Sequence, residues 1–418
     1  MINSSSILNI NGYESKNLVY RHSFPEVFDK AIGDFIYSVN GVEFLDFFMS
    51  AGSLNYGHNN PVIKKEMITY IENNGIINGL DFNTVARQNF INKFFEVIGD
   101  RFSSYKIFIA GPTGTNAIEA ALKFVRNAKK RTNIICFSGS FHGMSLGSLA
   151  VSSSNFIRSA AQVPLYGSIF IPYPTGYMSI DNSLELIEKI IHDPMSGVDK
   201  PAAVLLEVVQ GDGGINVAPK KWLQSLHRIC KENDIMLIID DIQAGCGRTG
   251  QFFSFDDYGI IPDVVVLSKS ISGIGLPMSL VLVDSSLDVL DSGQHTGTFR
   301  GNQLAYVAAT AALDFWLDNN FTNSLKDKML IFENCLMHIK NKFPFIEIRG
   351  KGMMWGLSFE DTPKLAGLIS KFCFNQGLLL ETCGRNDGVV KLLPAITVAN
   401  KNIEMGFKIL ESAIESVI

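Results

Sequence analysis

The chain has 418 residues, of which 46% are hydrophobic and 18% charged, with a formal net charge of -5. That length and apolar content suffice for one large core and a second, smaller one. The mild acidic balance offers nucleic acid no electrostatic footprint, and no apolar run approaches the roughly 20 residues of a bilayer span.

The opening "MINSSSILNINGYESK" lacks a basic stretch followed by an apolar one. No secretory signal is therefore expected, and a cytoplasmic location is. Residues 35–47, "FIYSVNGVEFLDF", read as two strands about an Asn-Gly turn. Five short apolar runs follow: "KIFIAG" (106–111), "NIICFSG" (133–139), "AAVLLEVVQG" (202–211), "IMLIIDD" (235–241) and "DVVVLSK" (263–269). They are continuous rather than alternating, which suits strands of a parallel sheet covered on both faces. Helical patterns lie between them. In "TNAIEAALKFVRNAKK" (115–130), Ala117, Ala120, Ala121, Phe124, Val125 and Ala128 form one stripe, and the basic end complements the helix dipole. "PKKWLQSLHRICKEND" (219–234) reads likewise. From about residue 305 the chain turns strongly helical, and "GLLLETCG" and "GVVKLLP" read as strands of a mixed tail. The expected fold is α/β, with a large mostly parallel domain over 61–305 and a smaller α+β domain built from 1–60 and 306–418. The six cysteines show no CxxC pair and no zinc spacing, and are expected as buried free thiols.

Ligands of open parallel sheets bind beyond the carboxyl ends of the strands. At those ends stand "GPTGTN", "SGSFHG", Glu207 and Gln210, then Asp240, Asp241 and Gln243, and finally Lys269. In "GPTGTN", Gly111 and Gly114 permit close backbone approach, and the free N–H groups of the following helix make an anion site suited to phosphate. Thr113 and Thr115 add hydroxyls. Neither GxxxxGK[ST] nor GxGxxG is present, so a nucleotide P-loop and a dinucleotide fold lack support. The plainer alternative is a glycine turn with a threonine cap. Asp240 and Lys269 are 29 residues apart, about one strand–crossover–strand unit, so both can face one pocket. The plainer alternative here is a strand-end acid and a surface lysine. A phosphate cradle, an acid and an amine together suit pyridoxal phosphate, whose aldehyde takes an amine and whose ring nitrogen needs an acid. Burial would draw the lysine toward neutrality. Lys269 is thus expected to end its strand because its amine must reach the cofactor.

These residues resemble those of the class III (ω-type) aminotransferases of the fold type I pyridoxal-phosphate superfamily. The likeness runs from "SFPEVF" to "VVKLLPAIT" and is most specific in "IIDDIQAGCGRTGQFFSFDDYGIIPDVVVLSKSISGIGLP". Within the class it is nearest to diaminobutyrate–2-oxoglutarate transaminases, including the ectoine-pathway branch, through "AGSLNYGHNNP", "GPTGTNAIEAALK", "DDIQAGCGRTG" and "HTGTFRGN". The resemblance implies Lys269 as the Schiff-base lysine, Asp240 at the pyridine nitrogen and Gln243 near the ring hydroxyl. It implies Gly114 and Thr115, with Thr113 nearby, at the phosphate. Phe141 and Ile242 would lie on opposite ring faces, with His142 lining the cofactor site. Thr298 would reach the phosphate of a neighbouring subunit, which implies a homodimer with shared sites. Glu207 would be a gate-like acid near the substrate.

Two departures stand out. The wider class usually has Asp-Glu where this chain has Asp240-Asp241, and often an arginine where it has Lys391. Lysine is a point charge rather than a fork, so Lys391 either meets the substrate carboxylate or is a structural lysine. The reaction so implied moves the terminal amine of L-2,4-diaminobutyrate to 2-oxoglutarate, giving L-aspartate 4-semialdehyde and glutamate. Alternatives are another ω-amine donor (ornithine, 4-aminobutyrate, putrescine or a secondary-metabolite amine) or an aminomutase or racemase on the same fold.

Overall fold

The computed structural model describes residues 13–176 and 178–418; the first twelve residues of the stretch read for a signal lie outside them. Near the start, β1 (Phe28–Ile32), β2 (Phe35–Ser38) and β3 (Glu43–Asp46) form an antiparallel meander. The expected Asn-Gly turn joins β2 to β3. Gly41 takes a φ of 81°, which glycine adopts without strain, and Ser38 N donates to Val42 O.

The middle of the chain supplies β4 (Tyr105–Gly111), β5 (Ile134–Phe137), β6 (Ser168–Ile171) and β7 (Ala203–Leu206). A small ribbon of β8 (Val209–Gln210) and β9 (Asn216–Val217) follows. Then come β10 (Met236–Asp240), β11 (Val264–Leu267) and β12 (Ser279–Asp284). The central sheet has the order β4-β12-β11-β10-β7-β5-β6. The run from β6 to β11 is parallel, whereas β12 is antiparallel to both β11 and β4. Successive residues of a strand feed opposite faces. Val204, Leu206, Leu237 and Ile239 pack with helices Val85–Ile98 and Lys220–Glu232. Ala203, Leu205, Ile238 and Val264 pack with helix Gly114–Lys129. Cover on both faces explains the continuous apolar runs.

The tail supplies β13 (Glu347–Lys351), β14 (Met354–Ser358), β15 (Leu378–Leu379), β16 (Glu381–Cys383) and β17 (Val389–Leu392). Strands β13-β14-β17-β16 form one sheet, while β15 extends the N-terminal meander, parallel to β3. Both ends of the chain share one core, in which Leu45 and Phe47 meet Leu378, Val390 and Ile403. Among the described residues no helix is long and apolar enough to cross a membrane.

Four expectations need correction. "AAVLLEVVQG" is not one strand: the sheet ends at Leu206, and Val209–Gln210 pairs elsewhere. "GLLLETCG" is split between two sheets at Leu380. Strands β1, β6, β9, β12, β13 and β14 fall outside the segments expected as strands. "DVVVLSK" stops as a strand at Leu267, two residues before the lysine.

Candidate active site

Asp240 is the last residue of β10 and is buried. Its Oδ2 lies 2.6 Å from His142 Nδ1, and its Oδ1 accepts from Ile242 N at 3.1 Å. An ionised carboxylate only accepts, so His142 carries its proton on Nδ1 and donates. His142 Nε2 is then left buried with no partner among the described residues. The site reading of His142 acquires a definite geometry: its ring backs the acid, and its own N–H donates to Ser152 Oγ at 2.8 Å.

Lys269 opens a 3-10 turn, Lys269–Ser272, with a φ of 50°. That left-handed conformation is costly for any residue with a Cβ. Its Nζ donates to Ala51 O at 2.9 Å, and Gln243 Nε2 donates to the same oxygen at 3.0 Å. Gln243 Oε1 is buried without a partner among the described residues. Burial pulls the Lys269 ammonium below the usual lysine range, with Asp212 opposing and Lys391 assisting.

The accepting carbonyl belongs to an unusual segment. Met49, Ser50, Ala51 and Gly52 have successive φ values of 46°, 49°, 57° and 76°. Each non-glycine residue there costs about 1–2 kcal/mol. Ser270 Oγ donates to Gly52 O at 2.9 Å, and Asn55 N donates to Ser270 Oγ at 3.2 Å, tying this segment to the lysine turn. Arg248, fully buried, donates to the carbonyls of Met353 and Pro394 and to Asn55 Oδ1. It ties loops together. Nothing in "AGSLNYGHNNP" announces this turn, because only one of its four residues is glycine.

Opposite the acid, helix Gly114–Lys129 begins behind a Thr113–Asn116 capping box. A Cβ on Gly114 would fall 2.7 Å from Ile242 Cδ1, so this position requires glycine while Ile242 keeps its place. Thr115 Oγ1 accepts from Met144 N at 3.2 Å, anchoring the loop after Phe141 and His142. Glu207 follows β7 and accepts from Phe141 N at 3.2 Å and Gly211 N at 3.1 Å. Burial pushes its carboxyl up to about 7; His142 works against the rise and Asp240 adds to it. Asp241 is fully buried, accepts from Ser254 N at 3.0 Å and is pushed by burial to about 7 as well.

Lys391 lies on β17, 1% exposed, with Nζ 2.9 Å from Glu381 Oε1 and 3.2 Å from Asp212 Oδ1. The sequence reading gave neither acid a role. Thr298 is exposed in the turn Thr298–Gly301, its carbonyl accepting from Asn78 Nδ2 at 3.1 Å. It does not join the other residues within this chain.

These residues fit pyridoxal phosphate. The unpartnered His142 and Gln243 atoms mark a place lined for a polar ring, between a helix N-terminus, a buried acid and a buried amine. On this α/β fold they define a pyridoxal-phosphate-dependent transferase of fold type I. The aminotransferase class-III family pattern matches residues 19–414. A diaminobutyrate–2-oxoglutarate transaminase of Bordetella parapertussis is 45% identical over 406 residues, covering 96% of this chain and 93% of that protein. An uncharacterized aminotransferase of Sinorhizobium fredii is 46% identical, covering 99% and 93%. Ornithine aminotransferase of Toxoplasma gondii superposes with a TM-score of 0.86 at 24% identity, covering 100% and 96%, a likeness of fold. The chain belongs to the class III aminotransferases.

Proposed function

We propose that this enzyme transfers the terminal amine of L-2,4-diaminobutyrate to 2-oxoglutarate, giving L-aspartate 4-semialdehyde and glutamate. The observation that carries the reading is the 45% identity, over nearly the whole chain, to proteins of that name in Bordetella and Streptomyces. Bound pyridoxal phosphate supplies an aldehyde and an electron-withdrawing ring that stabilises negative charge at the amine-bearing carbon. Lys269 Nζ, drawn toward neutrality by burial, is the group that holds the aldehyde and carries the proton at that carbon. Asp240 holds the ring-nitrogen proton, and the hydrogen bond from His142 keeps its carboxylate oriented. The first-turn amides at Gly114 and Thr115, beside Thr113, take the phosphate. With the cofactor bound, Phe141 and Ile242 would exclude water from the ring, Gln243 would meet a polar group on it, and Glu207 would face the substrate.

We read the assembly as a homodimer. Leu80, Phe82, Val85 and Phe299 are large exposed apolar residues. Their two segments are joined by the Gly79 N–Gly301 O hydrogen bond and the Arg300–Asp81 ion pair. Such a patch suits an interface, and Thr298 stands on it, available to a partner's phosphate.

A donor panel with 2-oxoglutarate tests the reading. Diaminobutyrate should give glutamate with the highest kcat/KM among diaminobutyrate, ornithine, 4-aminobutyrate and putrescine. A faster rate with any of the others would overturn the donor.

A further inference from the structure

One charged cluster beside Lys269 has no part in the chemistry above. Glu381 and Lys391 stand opposite each other on β16 and β17, and Gly384 N donates to Asp212 O at 3.0 Å, bringing the 211–214 loop onto the same strands. Asp212 and Glu381 face Lys391, and Asp212 also faces Lys269, so the cluster carries an excess negative charge when Lys269 is uncharged. Burial works against the Lys391 ammonium, but Glu381 and Asp212 outweigh it and hold the ammonium above the usual lysine range. An ammonium already shared by two carboxylates has little left for a third. Glu381 Oε1, though 2.9 Å from Lys391 Nζ, is buried and receives no directed hydrogen bond among the described residues, while Glu381 Oε2 accepts from the Tyr20 hydroxyl at 3.4 Å. Asp212 has a half-exposed carboxylate and, after burial, is the charge that acts most strongly on Lys269. One unsatisfied Glu381 oxygen and the half-exposed Asp212 carboxylate therefore lie beside the amine that acts on substrate.

We propose that Asp212 and Glu381 receive the second, non-reacting ammonium of a diamine donor, with Lys391 as the positioning residue that holds both carboxylates in place. This deepens the donor reading and rests on it. A buried ammonium needs paired acceptors, and a donor lacking that group would leave them unpaired. The site thus selects diamines over monoamines of equal length.

The test uses holoenzyme: wild type, Asp212→Asn and Glu381→Gln, with thermal midpoints to check folding. L-2,4-Diaminobutyrate is compared with 4-aminobutyrate, which keeps the terminal amine and the carboxylate but has no second amine. In each variant the ratio of kcat/KM for diaminobutyrate to kcat/KM for 4-aminobutyrate should fall about 10-fold or more, with the extra loss for diaminobutyrate appearing in KM. Inhibition by L-2-aminobutyrate should weaken in parallel, while inhibition by butyrate should not. Lys391→Arg should keep the donor ratio, and Lys391→Met should lose it. Equal losses for both donors, or an unchanged L-2-aminobutyrate inhibition constant, would overturn the proposal while leaving the donor reading intact. If wild type ignores diaminobutyrate but a longer diamine shows the same selectivity, the donor reading fails and the proposal stands. If wild type turns over monoamines alone, both fail.

Discussion

The cofactor side and the substrate side of this site are built differently. The cofactor side is made at strand ends: Asp240 closes β10, Lys269 follows β11, and Gly114 opens the helix after β4. Each is placed by a few neighbouring residues on a rigid sheet. The substrate side is assembled from far apart. Asp212 sits in a loop after β8, and Glu381 and Lys391 on two tail strands. The difference teaches that strand-end chemistry is a local property of the chain, whereas the selecting charges depend on how its two ends come together.

If that contrast holds, changes on the cofactor side should hit every donor alike. The largest effect is expected for Lys269→Ala, about a 10³-fold or greater loss in turnover with cofactor still retained, as absorbance and turnover assays would show. Next is Asp240→Ala, expected to lose about 10²-fold for all donors, with Asp240→Glu losing far less. Full activity in Asp240→Ala would remove the acid from the account. Gly114→Ala comes third: its Cβ would press on Ile242, and the dissociation constant for pyridoxal phosphate should rise about 10-fold with the donor ratio unchanged.

The smallest effect concerns pH. Glu207 sits at about 7 in the folded chain, above its ordinary 4.5, so between those values the folded state binds more protons than the unfolded one. Stability therefore falls as pH rises through that window. In the cofactor-free protein, Glu207→Gln should make the fall shallower and raise the thermal midpoint at pH 8 by about 2 °C over wild type. Asp241, also near 7, keeps the remainder of the slope. An unchanged slope would show that Glu207 is not the group responsible.

The same contrast decides what could be read from residues in order. The parallel strands, the phosphate-type helix start, Asp240 and Lys269 were legible because an apolar run ending in glycine or charge is a local pattern. Lys269 was misplaced by two residues, since the sequence does not show that Ser268 turns back to donate to Met278 O at 2.8 Å. Strand β12 was missed: its run "SLVLVD" is apolar like the others, but nothing in it states that it lies antiparallel between β11 and β4. Lys391 was singled out for replacing an arginine, yet its partner Asp212 is 179 residues away, and no periodicity links them. The strained turn at 49–52 stayed hidden because three of its four residues are not glycine.

The central claim is that the cofactor is held by Lys269 and by no other lysine, in particular not by buried Lys391. Borohydride reduction of the holoenzyme, followed by peptide mapping by mass, tests it directly. The account predicts one reduced pyridoxyl adduct, on the peptide containing Lys269. An adduct on Lys391 or any other lysine, with Lys269 unmodified, would contradict it.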